Sequence, residues 1–245
     1  MDVHLDHAAP DLDAAALRGT FYVTGGSQSV WNRMDEWRGL ARRGHEIGNH
    51  SLNHPCTRVL PDGAVREWLW PERALESYTV RQMANELRVA NILFTALDGR
   101  RERTYAYTCT DEVTGGGDSY VDAIKPLFPA GRDPNFTPVP DGRDGPVTDM
   151  RALDLYRVPS WMVIDVSGDE MIAYIERAAR AGGMAVIMFH GVGGGHSLNV
   201  SREAHRQVLR FLDENRDRLW TDTFLAVMKH VRAERVRLGW DPPQP

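Results

Sequence analysis

The sequence predicts an α/β fold with a parallel sheet, either one β/α barrel or an open doubly wound sheet, and three observations carry this. Short apolar, β-rich runs alternate with amphipathic helical stretches through most of the 245 residues. Residues 184–189 are almost wholly apolar, as suits a parallel strand covered on both faces. His50, Cys109, Trp161 and His190 each fall just after a predicted strand, where such folds carry their chemistry.

The elements follow in order. Residues 19–23 (Gly-Thr-Phe-Tyr-Val) read as a strand ending at the turn Gly25-Gly26. Residues 31–43 read as a helix with Met34, Trp37 and Leu40 on one face, stopped by Gly44. A short strand over 46–48 runs into His50, and 56–78 is a long irregular excursion holding Trp68 and Trp70. Thr79 and Gln82 make a capping box for a helix to about Leu97, ahead of Gly99, with Met83, Leu87 and Leu93 as core. A strand over 104–107 and a short helix over 119–127 come next, and 131–148, rich in Pro, Gly and Asp, reads as loop. Ser167 and Glu170 form a second capping box, for a helix ending at Gly182-Gly183. Ser201 caps a helix to about Arg218, and the last helix spans 223–235.

The length suits one domain over residues 1–245, and no repeat or linker divides it. Lys and Arg number 29 against 34 Asp and Glu, a net charge of −5 without long runs of one sign, so no basic stripe points to nucleic acid. No apolar run approaches the roughly 20 residues of a membrane-spanning helix. Met1-Asp2-Val3-His4-Leu5-Asp6-His7 has no apolar core and does not read as a signal peptide, and localisation is left open because the start itself is suspect. Cys56 and Cys109 allow one bridge, but two free thiols are the expectation.

The chemistry centres on His50-Ser51-Leu52-Asn53-His54. Two imidazoles at i and i+4 on a helical turn point the same way, close enough to share one divalent ion. Chance surface histidines give the same spacing, and two ligands leave a catalytic site one short.

The run Gly19–Val23 followed by Gly44-His45-Glu46-Ile47-Gly48-Asn49-His50-Ser51-Leu52-Asn53-His54-Pro55 closely resembles the polysaccharide deacetylase family (carbohydrate esterase family four). Met188-Phe189-His190-Gly191 resembles the family's fifth motif. The resemblance implies a distorted (β/α) barrel and hydrolysis of N- or O-linked acetyl groups on a carbohydrate. It implies one divalent ion, zinc first, with His50 and His54 as metal ligands and His190 as the acid that protonates the leaving group. The bland reading of His190 is a structural histidine at a strand end. For Trp161 the readings are a wall of the sugar cleft or core packing. Tyr107 and Cys109 are placed beside that cleft, and His196, on the loop Gly193-Gly194-Gly195, either reaches substrate or has no role.

The sequence also departs from the family pattern. The family's first motif, an Asp-Asp pair on the first strand, supplies the third ligand and the base, and it is expected to lie before Met1. Asp2 or Asp6 is the substitute within the sequence, and a solvated N-terminal loop is the plainer expectation. The 105–110 stretch has neither the Arg nor the Pro of the third motif, and Ser160 stands where an Asp usually precedes the tryptophan. That leaves His190 without its usual carboxylate, with Asp165 the nearest substitute in sequence. Beside the deacetylase reading stand a non-catalytic carbohydrate-binding relative and an inactive form lacking its first strand.

Overall fold

In the computed structural model, which describes residues 1–132 and 145–242, four parallel strands lie in the order β1 (Thr20–Val23), β2 (Glu46–Asn49), β3 (Tyr105–Ala106) and β4 (Gly131–Arg132). β1 and β2 pair from Thr20↔Glu46 to Val23↔Asn49. A parallel bridge from Arg132 to Val158 continues the arc towards a second pair, β5 (Trp161–Met162) with β6 (Ile187–Met188). A third pair joins β7 (Gly191–Val192) to β8 (Asn199–Val200). The expected α/β architecture with parallel strands is present, and strand hydrogen bonds close no barrel among the described residues.

Glu46 shows why the strands meet the helices as they do. Its buried carboxylate accepts hydrogen bonds from the Thr20 and Thr104 hydroxyls and the Thr104 amide at 2.6–2.7 Å. It also accepts from the Leu225 amide, at 2.9 Å, in the first turn of α8 (Phe224–Arg237). An anion at a helix N-terminus is matched by the dipole and the unpaired amides there. At Gly48 a Cβ would stand 2.5 Å from the Tyr22 ring, so β1 and β2 approach this closely only with glycine.

The helices follow the sequence signals. α4 (Val80–Asp98) opens on the Thr79–Gln82 capping box and stops at Gly99, whose φ of +74° favours glycine. Met83 and Leu87 are buried, and Leu93 is half-buried. α6 (Gly168–Arg180) opens on the Ser167–Glu170 box, and α7 (Arg202–Glu214) on Ser201. α5 (Val121–Ile124) is shorter than expected. The helix expected over 31–43 is two, α2 (Gln28–Asn32) and α3 (Met34–Arg42), broken at Arg33. Arg33 leaves helical geometry there, and its guanidinium binds Glu36 and Asp6. No helix among the described residues is long and apolar enough to cross a membrane.

Three expectations need correction. The N-terminal segment is no solvated loop: a π-helical turn, His4–Ala8, runs into α1 (Ala9–Ala14). Leu5, Ala8 and Ala9 join the core, and the buried Asp11 carboxylate pairs with Arg202 and Arg206 of α7 at 2.8–3.0 Å. The expected loop over 131–148 begins with β4, and positions 133–144 lie outside the described residues. The apolar run 184–189 forms a strand only at Ile187–Met188 and is half-buried rather than covered on both faces. His4 Nε2 donates to the His190 carbonyl at 2.7 Å and His7 Nδ1 to the Val192 carbonyl at 2.8 Å.

Candidate metal and active site

His50 and His54 come together as expected, with ring centroids 4.8 Å apart, but no helical turn places them. The segment is a loop in which Ser51 and His54 take left-handed φ values of +63° and +57°. Neighbouring groups hold it. Asn49 Oδ1 accepts from the Ser51 amide at 2.7 Å, while Asn49 Nδ2 donates to the Leu87 carbonyl and to Asn91. Glu86 accepts from the Leu52 and Asn53 amides and the Tyr78 hydroxyl. Ser51 Oγ accepts from the His54 amide at 2.8 Å. Left-handed backbone in non-glycine residues costs roughly 1–3 kcal/mol each, and such a frame offsets it.

The tautomer of His50 follows from its partner. Asn49 pairs with Tyr105 across β2 and β3, which sets His50 beside Ala106. His50 Nδ1 donates to the Ala106 carbonyl at 2.9 Å, so a neutral ring carries its lone pair on Nε2. Burial, and then His54, push the His50 pKa well below the ordinary imidazole value. Burial lowers His54 as well. Two neutral imidazoles fit a borderline-soft divalent ion such as zinc.

No carboxylate completes this pair among the described residues. Asp2 and Asp6 turn to Arg33, at 3.5 and 2.5 Å. Asp111 lies near enough to act on His54, yet its Oδ2 accepts from the Thr57 amide at 2.7 Å and from Arg66 at 3.0 Å. The histidines fit the ion, and the described residues add no anionic oxygen to them.

His190 stands at the end of β6 with its Nδ1 buried and unpartnered. Asp165 does not serve it: no hydrogen bond joins the two among the described residues, and the Asp165 amide is spent on the Asn199 carbonyl. Burial first, then His196, Arg132, His4 and His54, lower its pKa to about 4, so the ring is neutral at pH 7. A neutral imidazole is not the protonated acid expected of this position. His196 is exposed and its ring stacks on His190 with centroids 5.0 Å apart. The three glycines before it, all at positive φ, permit that reversal.

Other expected residues take different surroundings. Tyr107 is buried among Tyr105, Tyr120 and Phe128, and its hydroxyl donates to the Tyr156 carbonyl at 3.0 Å. Trp161 is half-buried against Tyr174, ring centroids 4.9 Å apart. Cys109 is no free thiol: it is bonded to Cys56, with Cα atoms 5.7 Å apart, which corrects the expectation of two free cysteines. Pairing across 53 residues is invisible in spacing alone and arises because the loops after β2 and β3 meet.

Sequence reasoning missed Arg132, hidden at the start of a Pro- and Gly-rich stretch. It is buried, donates to Ser160 Oγ at 3.0 Å and to Met188, and lies 5.2 Å from the Tyr22 ring centroid. Its charge opposes protonation of both His50 and His190. Ser160, standing where the family carries an Asp, thus serves a cation. Trp68, in the 56–78 excursion, is 60% exposed with its ring 6.3 Å from that of His54.

Residues 4–111, the segment that contains the histidine pair, match the family model described as polysaccharide deacetylase. Over that segment the chain is similar to the polysaccharide deacetylases. It is 36% identical over 66 residues to the uncharacterized protein YlxY of Bacillus subtilis, a stretch that is 27% of this chain and 20% of YlxY. The fold is shared with a putative polysaccharide deacetylase of Mycobacterium smegmatis: TM-score 0.60 at 15% identity, over 95% of this chain and 78% of that one. It is shared too with a mutant of BA3943, a CE4 family pseudoenzyme of Bacillus anthracis, at TM-score 0.51 and 12% identity. That match covers 92% of this chain and 62% of the pseudoenzyme, so the chain spans less than two thirds of BA3943. The distorted (β/α) architecture expected of the family is therefore the fold of this chain.

Proposed function

We propose that this chain carries the metal-binding and substrate-facing part of a carbohydrate deacetylase that removes N- or O-linked acetyl groups, with His50 and His54 as ligands to one divalent ion, zinc first. The observation that supports it is the fixed tautomer of His50, which leaves Nε2 as a lone pair beside His54. A bound divalent ion would supply Lewis acidity for the acetyl carbonyl. The residues in place would hold that ion and orient the sugar. The exposed face of Trp68 beside His54 suits the apolar face of a pyranose ring. His190 and His196 stack with ring centroids 5.0 Å apart, and the exposed His196 ring can hydrogen-bond a sugar hydroxyl or amide.

A second reading, a non-catalytic carbohydrate-binding relative, is favoured by one observation: His190 is held neutral with no carboxylate partner among the described residues. Acetate release from N-acetylated chito-oligosaccharides and O-acetylated xylan separates the two. The deacetylase reading expects release that needs added zinc and stops with a chelator. Glycan binding without acetate release, undiminished by a chelator or by His190→Ala, would leave only the second reading.

A further inference from the structure

We propose that His54, Cys56 and Cys109 form a redox-gated metal site, closed while the two sulfurs are bonded and open to a thiophilic divalent ion such as zinc once they are reduced. The ligand atoms of the three residues all lie within 4.8 Å of one another. At a tetrahedral angle two sulfurs on one zinc stand about 3.8 Å apart, and a sulfur and an imidazole nitrogen about 3.5 Å apart. His54 Nδ1 is already 3.4 Å from Cys56 Sγ. Breaking the bond leaves His54 and Cys56 at ligand spacing, and the two sulfurs need only turn apart, to roughly 3.8 Å, to share one ion.

The loops hold their places without the disulfide. The Cys56 amide donates to the Arg73 carbonyl at 3.2 Å, and the Cys56 carbonyl accepts from the Leu75 amide at 2.8 Å. Beside Cys109, the Thr108 hydroxyl donates to the Pro55 carbonyl, and the Asp111 amide closes the turn onto the Thr108 carbonyl at 3.0 Å. Charge favours the change as well. The cations Arg66 and Arg73 act on His54, and two thiolates would bring the negative charge that the histidine pair lacks among the described residues.

The gating step balances as thiol–disulfide exchange with a dithiol reductant. One thiolate of the reductant attacks the sulfur of Cys109, the less buried cysteine, and Cys56 leaves as thiolate. The reductant's second thiolate then displaces Cys109 and closes the reductant's own disulfide. Two electrons pass to the protein, and the metal takes the place of the two thiol protons. This site does not rest on the deacetylase reading, since sulfur ligands have no part in that chemistry.

Cobalt(II) titration of the whole chain, oxidised and after reduction with a trialkylphosphine, tests it. The phosphine supplies two electrons and takes an oxygen atom from water, and it avoids the metal binding of dithiols. Reduced protein should bind one cobalt with a thiolate-to-metal charge-transfer band, and oxidised protein should show no such band. Cys56→Ser and Cys109→Ser should each weaken the reduced site by about 10-fold or more, and His54→Ala likewise. His50→Ala should keep the band while losing any acetate release, so failure of this site and failure of the deacetylase reading are told apart. A reduced chain without the band, a band undiminished in His54→Ala, or a reduced chain that far-ultraviolet circular dichroism shows to be unfolded would each overturn the proposal.

Discussion

His50 Nδ1 donates to the carbonyl of Ala106 across 2.9 Å, so the end of β3 selects which nitrogen of the histidine just after β2 is free. Metal-binding histidines commonly have their second nitrogen fixed in this way. In the oxidised chain, His50→Ala and His54→Ala should each lower zinc affinity by about 10-fold or more. Isothermal titration would read it, and affinity unchanged in both variants would remove the pair from any metal site.

Acid should loosen the fold through His205. Burial lowers its pKa to about 4 from 6.5, so the folded ring is neutral where the unfolded ring is already charged. Its stabilising contribution is full above pH 6.5 and is lost as pH falls from 6.5 to about 4. The shift corresponds to about 3 kcal/mol. Urea midpoints at pH 7 and pH 4.5 measure it. His205→Phe, which keeps an aromatic ring against Phe189, should shrink the difference. An equal pH response in that variant would assign the effect elsewhere.

Asp11 clamps α1 to α7. Arg202 and Arg206 hold its pKa at about 2 against the cost of burial, below the usual 3.8. The contribution is full above pH 3.8 and fades between 3.8 and about 2, a window below that of His205. Both arginines are partly exposed, so Asp11→Ala should cost about 2 kcal/mol rather than the full worth of a buried pair. Chemical denaturation at pH 7 checks this, and an unchanged midpoint would mean that the N-terminal helix is held by its apolar face alone.

Two tryptophans should behave oppositely. Trp68→Ala removes an exposed face, so stability should hold within about 0.5 kcal/mol while glycan affinity falls several-fold. Trp161→Ala empties a contact with Tyr174 and should cost about 3 kcal/mol of stability. Paired denaturation and glycan-binding curves distinguish them, and loss of glycan affinity only in Trp161→Ala would move the sugar platform there.

Reduction of the Cys56–Cys109 bond frees a 53-residue loop, which chain entropy values at about 4 kcal/mol. The apo chain should therefore denature at lower urea after reduction. Added zinc should restore part of the loss, because a ligand bound only by the folded state stabilises it. Full recovery of the oxidised midpoint without zinc would show that the bond carries no stability.

Short-range signals set the local elements and the chemistry of their ends. Thr79 with Gln82, Ser167 with Glu170, and Gly44 and Gly99 act within a few residues of themselves, so their signals are complete in a short window. The Gly48-Asn49-His50 stretch was legible for the same reason, as glycine, amide and imidazole each serve the strand end they occupy. Tertiary structure alone decided what each side chain meets. Spacing suggested a helical turn for His50 and His54, whereas Asn49, Glu86 and Ser51 hold them on a left-handed loop. Met1–His7 looked solvated because polar residues crowd it, yet its histidines cap the carbonyls of His190 and Val192, about 185 positions away. Cys56 and Cys109 lie 53 residues apart, and Arg132 reaches Ser160 from another strand. Burial, partner and charge belong to pairs of distant residues, and those pairs exist only after the strands align.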